Sequence, residues 1–172
     1  ITQARVVSVD PTSHTLTYQQ DSDTLSLAYK SVVLATGSRH RTLAMQGAEH
    51  IYQVNDLEAY ERLHSALQDA KTVALIGTGL VGVEFAHDLL HKGYKVTLLS
   101  RDSSALHGLV SKAVGDRVRD HLISMGAEWI ELQDIHACHM HEGKYVVNVD
   151  KRNVSADVVM ASIGLEANTA IN

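Results

Sequence analysis

The chain of 172 residues carries a single cysteine, Cys138, and a single proline, Pro11. One thiol excludes an intrachain disulfide framework and any Cys-x-x-Cys redox or metal pair. One proline leaves glycines and polar clusters to punctuate the chain. Basic residues are also in deficit: 15 Lys and Arg stand against 20 Asp and Glu, a formal charge of −5. That balance argues against a nucleic-acid footprint and against a basic membrane-surface protein. No apolar run approaches the roughly 18 residues of a membrane span, and no signal peptide opens the chain, so the expected setting is cytoplasmic. What remains is an ordinary globular mix, 45% hydrophobic and 20% charged, with enough chain to bury a core without metal or disulfide staples. The first residue is Ile1 rather than methionine, which reads as a piece of something longer.

Alternation predicts extended runs at Ala4–Asp10 and Thr15–Tyr18 around a Pro11–His14 turn, then at Thr24–Tyr29. Ser31–Gly37 follows, and its Val32–Leu34 core is apolar on both faces, as in a buried parallel strand. Asn55 with Glu58 has capping-box spacing, opening a helix from Asp56 to about Ala70 with Leu57, Tyr60, Leu63 and Leu67 as its apolar stripe. Thr72–Ile76 reads as a strand, the segment up to His91 as a helix closed by Gly93, and Val96–Leu99 as the next strand. A helix capped by Ser111 runs to Met125 with Val114, Val118 and Leu122 on one side. Ala127–Leu132 is a further strand, 134–150 a hairpin turning at Glu142-Gly143, and Ala156–Ile163 a last strand before Gly164.

Between the first of these central strands and its helix lies Gly77-Thr78-Gly79-Leu80-Val81-Gly82. Glycines at this spacing, in a strand–turn–helix–strand context, form a dinucleotide fingerprint. The first allows the tight turn, the second admits a pyrophosphate to the backbone, and the third lets helix and strand pack closely. The position that holds an acid in NAD sites falls at Ser100, and Arg101 follows it. Serine does not replace the acid, whereas an arginine suits a 2′-phosphate. The pair therefore favours NADP(H) over NAD(H), with Asp102 one residue late for a 2′-hydroxyl.

Ser31–Gly37, Gly77–Ala86 and Ala156–Gly164, in this order, resemble the pyridine nucleotide-disulfide oxidoreductase superfamily. The texture of Glu84–Leu89 and Ala161–Leu165 is most similar to the rubredoxin and ferredoxin reductases among them. The resemblance implies an internal fragment. Residues 1–42 would be the C-terminal part of the first half of an FAD domain, and 43–172 an NAD(P)-binding domain with the start of a return linker. The implied fold is α/β: a Rossmann-type parallel sheet flanked by helices, with an antiparallel hairpin layer, preceded by a β-rich segment. It also implies that Thr36 and Gly37 lie near FAD, that Glu84 lies by the nicotinamide and its ribose as the catalytic candidate, and that Ile163 and Gly164 offer backbone at the nicotinamide end. In NADPH-using relatives a second phosphate-binding arginine falls at His107. The usual Gly-x-x-Pro-Asn reads Gly164-Leu-Glu-Ala-Asn168, with Ala167 in place of proline.

The implied activity passes hydride from NAD(P)H to FAD and then electrons to a rubredoxin- or ferredoxin-type protein. Disulfide, peroxide, nitrite or quinone reduction, or a dinucleotide-binding module without activity of its own, are the alternatives. The lone Cys138 disfavours the thioredoxin reductase branch. His136, Cys138, His139 and His141 are the densest group of metal-ligand types, but strand alternation would split them between two faces, and no metal is expected. Val32–Leu34, short of neighbouring strands, would pair with a second copy in a homodimer or stay poorly ordered.

Overall fold

The computed structural model describes residues 2–150 and 152–171. The strands are β1 (Arg5–Asp10), β2 (Thr15–Gln20), β3 (Asp23–Ala28), β4 (Ser38–His40), β5 (Thr72–Ile76), β6 (Lys95–Ser100), β7 (Glu128–Glu131), β8 (Ile135–His141), β9 (Lys144–Val149), β10 (Arg152–Ala156), β11 (Val158–Ala161) and β12 (Leu165–Ala167). The α-helices are α1 (Leu57–Leu67), α2 (Leu80–His91) and α3 (Lys112–Ser124), and a 3₁₀ turn covers Ala48–His50. The chain divides into two compact units, Ile1–Arg39 with Leu165–Asn172, and His40–Gly164.

In the first unit β1, β2 and β3 form an antiparallel meander, as alternation predicts. Its first turn is built by Asp10, whose carboxylate accepts from Thr12 N, Ser13 N and Ser13 Oγ. β12 pairs with β4. Just before β4, Thr36 Oγ1 donates to Asn168 O at 2.7 Å, and Asn168 returns a side-chain bond to Thr36 O. The run 31–37 does not form the expected strand. Val33 and Leu34 are 88% and 64% exposed, because no strand among the described residues pairs with them.

The second unit is a parallel sheet in the order β11-β5-β6-β7. Alternation along β5 sorts its side chains to two cores. Val73 and Leu75 join Leu63, Ala86, Leu89 and Leu122 on the helical face. Ala74 and Ile76 join Cys138, Val147 and Val149 on the other face. Both faces are covered, which is why β11 and all of β5 after Thr72 are apolar.

The second face is covered by a three-stranded meander, β10-β9-β8, one strand more than the expected hairpin. The turn at Glu142-Gly143 is as expected, with φ of 50° and 78°. The run Ala156–Ile163 is not one strand. Ala156 ends β10 and Val158 starts β11. Asp157, between them, turns the chain from meander to parallel sheet by accepting from Lys71 N, Thr72 N and Thr72 Oγ1 at 2.7–2.9 Å.

Two helix details differ from expectation. Asp56 rather than Asn55 is the N-cap of α1, accepting from Ala59 N at 2.7 Å. Leu57 and Tyr60 are 71% and 47% exposed; the buried residues are Ala59 and Leu63, since a small side chain lets the helix approach the sheet. In α3, Val114 is likewise exposed, while Gly115 and Leu122 are buried.

Candidate functional site

The glycine loop joins the C-terminal end of β5 to α2. Gly77 has φ +99°, and a Cβ on it would lie 2.5 Å from Ser162 O. A Cβ on Gly82 would lie 2.2 Å from Gly77 O, so the third glycine is what lets α2 sit against the loop. Gly79 differs: a Cβ there meets nothing within 4 Å, so its missing side chain leaves open space for a ligand rather than room for packing. Gly79 is also the N-cap of α2 and offers no side-chain cap, and the first turn holds no acidic residue. The first-turn N–H groups and the positive end of the helix dipole are therefore left for an anion.

β6 lies on one side of β5 and β11 on the other, so the loop opens at a topological switch point outside the carboxyl ends of the strands. A cavity of about 850 Å³ lies there. Of the expected site residues, Gly77, Thr78, Gly79, Leu80, Val81, Ser100, Arg101, His107, Ile163 and Gly164 line it. Gly82 is buried beneath the loop. Glu84 is exposed on α2 and lines a separate cleft of about 380 Å³ with His87 and His121. Thr36 and Gly37 belong to the first unit.

The cavity's β6 end is organised by hydroxyls. Thr78 and Ser100 are 7% and 2% exposed, with Thr78 Oγ1 and Ser100 Oγ 2.8 Å apart. Ser100 Oγ donates to Asp102 O at 2.9 Å and accepts from Asp102 N at 3.1 Å. Leu106 N donates to Thr78 O. The segment 101–107 is thus tied to the glycine loop by protein groups alone. Asp102 faces His107 Nδ1 at 3.5 Å. The Arg101 guanidinium is exposed and has no hydrogen bond or ion pair among the described residues.

Sequence reasoning did not find the segment from Arg41 to Met45, or Asp134 and Ile135, all of which line the cavity. Arg41–Met45 and Asp134 are connecting residues without a motif, and Ile135 is the first residue of β8. The histidine-rich strand is also resolved. Register shifts between Ile135 and Ala137, which leaves His136 exposed rather than on the face of Cys138. Cys138 is buried at 1% exposure, and burial pushes its thiol up. His139 and His141 face out.

The glycine cradle, the open space at Gly79 and the free first turn of α2 fit the pyrophosphate of a dinucleotide. The family described as pyridine nucleotide-disulphide oxidoreductase matches residues 1–172. A nitric oxide reductase FlRd-NAD(+) reductase of Salmonella schwarzengrund is 30% identical over 167 residues, which are 96% of this chain and 43% of the relative. The chain thus spans less than half of that relative's length. Among solved structures, the water-forming NADH oxidase of Lactobacillus brevis bound to NADH superposes with TM-score 0.84 at 19% identity over 96% of this chain and 38% of that one. Its engineered NADPH oxidase form, bound to NADPH, gives 0.83 at 19% over the same shares. A ferredoxin reductase from Rhodopseudomonas palustris gives 0.82 at 23%, over 95% of this chain and 41% of that one.

Proposed function

Because this chain belongs to the pyridine nucleotide-disulphide oxidoreductase family, we propose that it is the NAD(P)H-binding part of an FAD-dependent oxidoreductase that delivers electrons to a rubredoxin- or ferredoxin-type protein. The observation that carries this is the cavity at the ends of β5, β6 and β11, floored by glycines and lined by Arg101. When bound, the nicotinamide supplies hydride and the flavin accepts it; the protein supplies binding and orientation. Backbone N–H groups at the start of α2 hold the pyrophosphate, and Ile163 and Gly164 present backbone to the nicotinamide half. Thr36 and Gly37 contact FAD, and Glu84, which lines the neighbouring cleft on α2 and not this cavity, is a catalytic candidate through the family resemblance alone. Relatives whose names specify a FlRd reductase and a ferredoxin reductase support a small redox protein as acceptor. A buried Cys138 with a raised thiol supports an acceptor that does not exchange with it.

The finer reading is NADPH over NADH. Ser100 offers no carboxylate to a 2′-hydroxyl, and its hydroxyl is already engaged. Arg101 is unpartnered, and a dianionic 2′-phosphate matches its fork. The engineered oxidase that binds NADPH differs from its NADH-binding parent by five substitutions, including an aspartate made alanine and the next residue made arginine. Ser100-Arg101 has the same order, a non-acid and then an arginine. The competing reading, NADH, draws on Asp102 and on a relative whose name specifies NAD(+).

Titrating the purified chain with NADPH and NADH decides. NADPH binds more tightly, and Arg101→Ala weakens it about tenfold, the effect of one charge-assisted contact, while NADH changes less than about twofold. Equal affinity, or tighter NADH, overturns the assignment of Arg101.

A further inference from the structure

The charges lining the cavity are distributed unevenly along it. Arg101, Asp102 and His107 follow β6, and Asp134 follows β7. Arg41 alone meets the β11 end. Its backbone N–H donates to Gly164 O at 3.2 Å, and Gln53 Nε2 donates to Arg41 O at 3.3 Å, which fixes the segment. Gly164 has φ +100°, and a methyl placed on it would lie 3.6 Å from Arg41 Nε and 4.0 Å from Cζ. The guanidinium therefore covers the glycine that ends β11's return. It has no hydrogen bond or ion pair among the described residues, and it lines the cavity.

In a sheet of this topology the adenosine half of a dinucleotide lies at the β6 end, so the other half must cross β5 toward β11. That half is special in its charge. The oxidised nicotinamide ring is a cation and the reduced ring is neutral, while the rest of the molecule is the same. A fixed positive charge beside the ring repels one form and leaves the other unaffected.

We propose that Arg41 discriminates between the redox states of the nicotinamide: it raises the relative affinity of the site for the reduced dinucleotide and speeds release of the oxidised one. The inference rests on the reading that this cavity takes a dinucleotide. It goes beyond it by assigning a specificity-determining charge to a linker residue outside the glycine motif. Arg101 acts on the 2′ position, common to both redox states, and so cannot produce this discrimination.

The test measures dissociation constants of NADPH, NADP⁺ and 2′-phospho-ADP-ribose for the full chain, by reduced-nicotinamide fluorescence and calorimetry. Arg41→Gln lowers the ratio of the NADP⁺ to the NADPH constant by about threefold to fivefold, the size of one exposed charge. Arg41→Lys keeps the ratio, since it keeps the charge. Binding of 2′-phospho-ADP-ribose, which has no nicotinamide, stays within about twofold, and the ratio effect shrinks at high salt. An unchanged ratio in Arg41→Gln overturns the proposal. So does equal weakening of all three ligands, which would place Arg41 on the pyrophosphate. If the unsubstituted chain binds none of them, the dinucleotide reading itself falls, and this proposal with it. Binding with an unchanged ratio removes only the proposal.

Discussion

Replacing Asp157 by alanine probes the joint that sets the cavity's β11 wall. Asp157 Oδ2 accepts from Lys71 N at 2.9 Å, Thr72 N at 2.8 Å and Thr72 Oγ1 at 2.7 Å, and Lys144 Nζ lies 3.3 Å from Oδ1. Through these bonds the end of the meander is pinned to the start of β5, and β11 enters beside β5 in register from Val158↔Val73 to Ala161↔Ile76. That register carries Ser162 N to Ile76 O and sets Ser162 O against Gly77. A hydrogen bond to a charged group contributes about 1.5–3 kcal/mol. Several donors share one carboxylate here, and the side chain is 24% exposed, so the contributions do not add. A total loss of about 3 kcal/mol is expected, which for a chain of this size is a Tm lower by about 10 °C.

The pH dependence separates the charge from the packing. Burial opposes ionisation of Asp157, but the donors from Lys71, Thr72 and Lys144 outweigh it and hold the carboxyl well below the usual carboxylate range. A group whose pKa is depressed by folding stabilises fully above its unfolded value, about 4, and loses that contribution as pH falls below it. Urea unfolding should therefore show the full difference between wild type and Asp157→Ala at pH 7 and a converging pair below about pH 4. A loss at pH 7 of under about 1 kcal/mol, the value of an ordinary neutral bond, refutes the joint. A difference that persists undiminished at about pH 3 refutes its electrostatic origin.

Two further substitutions test the loop itself. Gly77→Ala places a methyl 2.5 Å from Ser162 O at φ +99° and should cost more than about 2 kcal/mol and abolish nucleotide binding; an unchanged Tm by calorimetry would show that the turn is not strained. Ser100→Ala removes the hydroxyl that joins Thr78 to Asp102 and should cost about 1–2 kcal/mol while lowering the NADPH-to-NADH preference. A shift in Tm with the preference intact would mean that Ser100 holds the core but does not position Arg101.

The β5–α2–β6 core was legible because its signals are local. An apolar run of four, Val73–Ile76, glycines at fixed spacing and a left-handed Gly93 (φ +89°) each determine structure within a few residues. What misled the reading was partnership at a distance. The run Ala156–Ile163 looks continuous, and its interruption at Asp157 depends on hydrogen bonds to residues 85 and 86 positions earlier. Val32–Leu34 has the composition of a buried strand, yet composition states only that cover is wanted. Val33 at 88% exposure shows that the described residues do not supply it. In α1 the reading weighted large side chains, so it chose Leu57 and Tyr60 over Ala59, although the smaller residue is the one that admits the sheet.

The site divides along the same line. Its glycines are demanded by backbone geometry, so their spacing reveals them without a ligand. Arg101 is placed by counting from them along a strand of fixed length. Arg41 has neither kind of signature: it reaches the cavity only because the segment after β4 is fixed to Gly164 and Gln53, positions set by the tertiary fold. The consequence is chemical. Residues that build the cradle are constrained by packing whether or not a nucleotide binds, as Gly82 against Gly77 O shows. Arg101 and Arg41 make no bond through their guanidinium groups to the described residues, so packing gives no reason for arginine at either place. They lie one at each end of a cavity lined mostly by glycine and apolar residues, and under the proposed function each would face a ligand that is anionic at its adenosine end and changes charge at the other. A pyridine dinucleotide phosphate would have both properties, so under that proposal substitutions at the two arginines, rather than at the glycines, should change the choice of ligand without changing the fold.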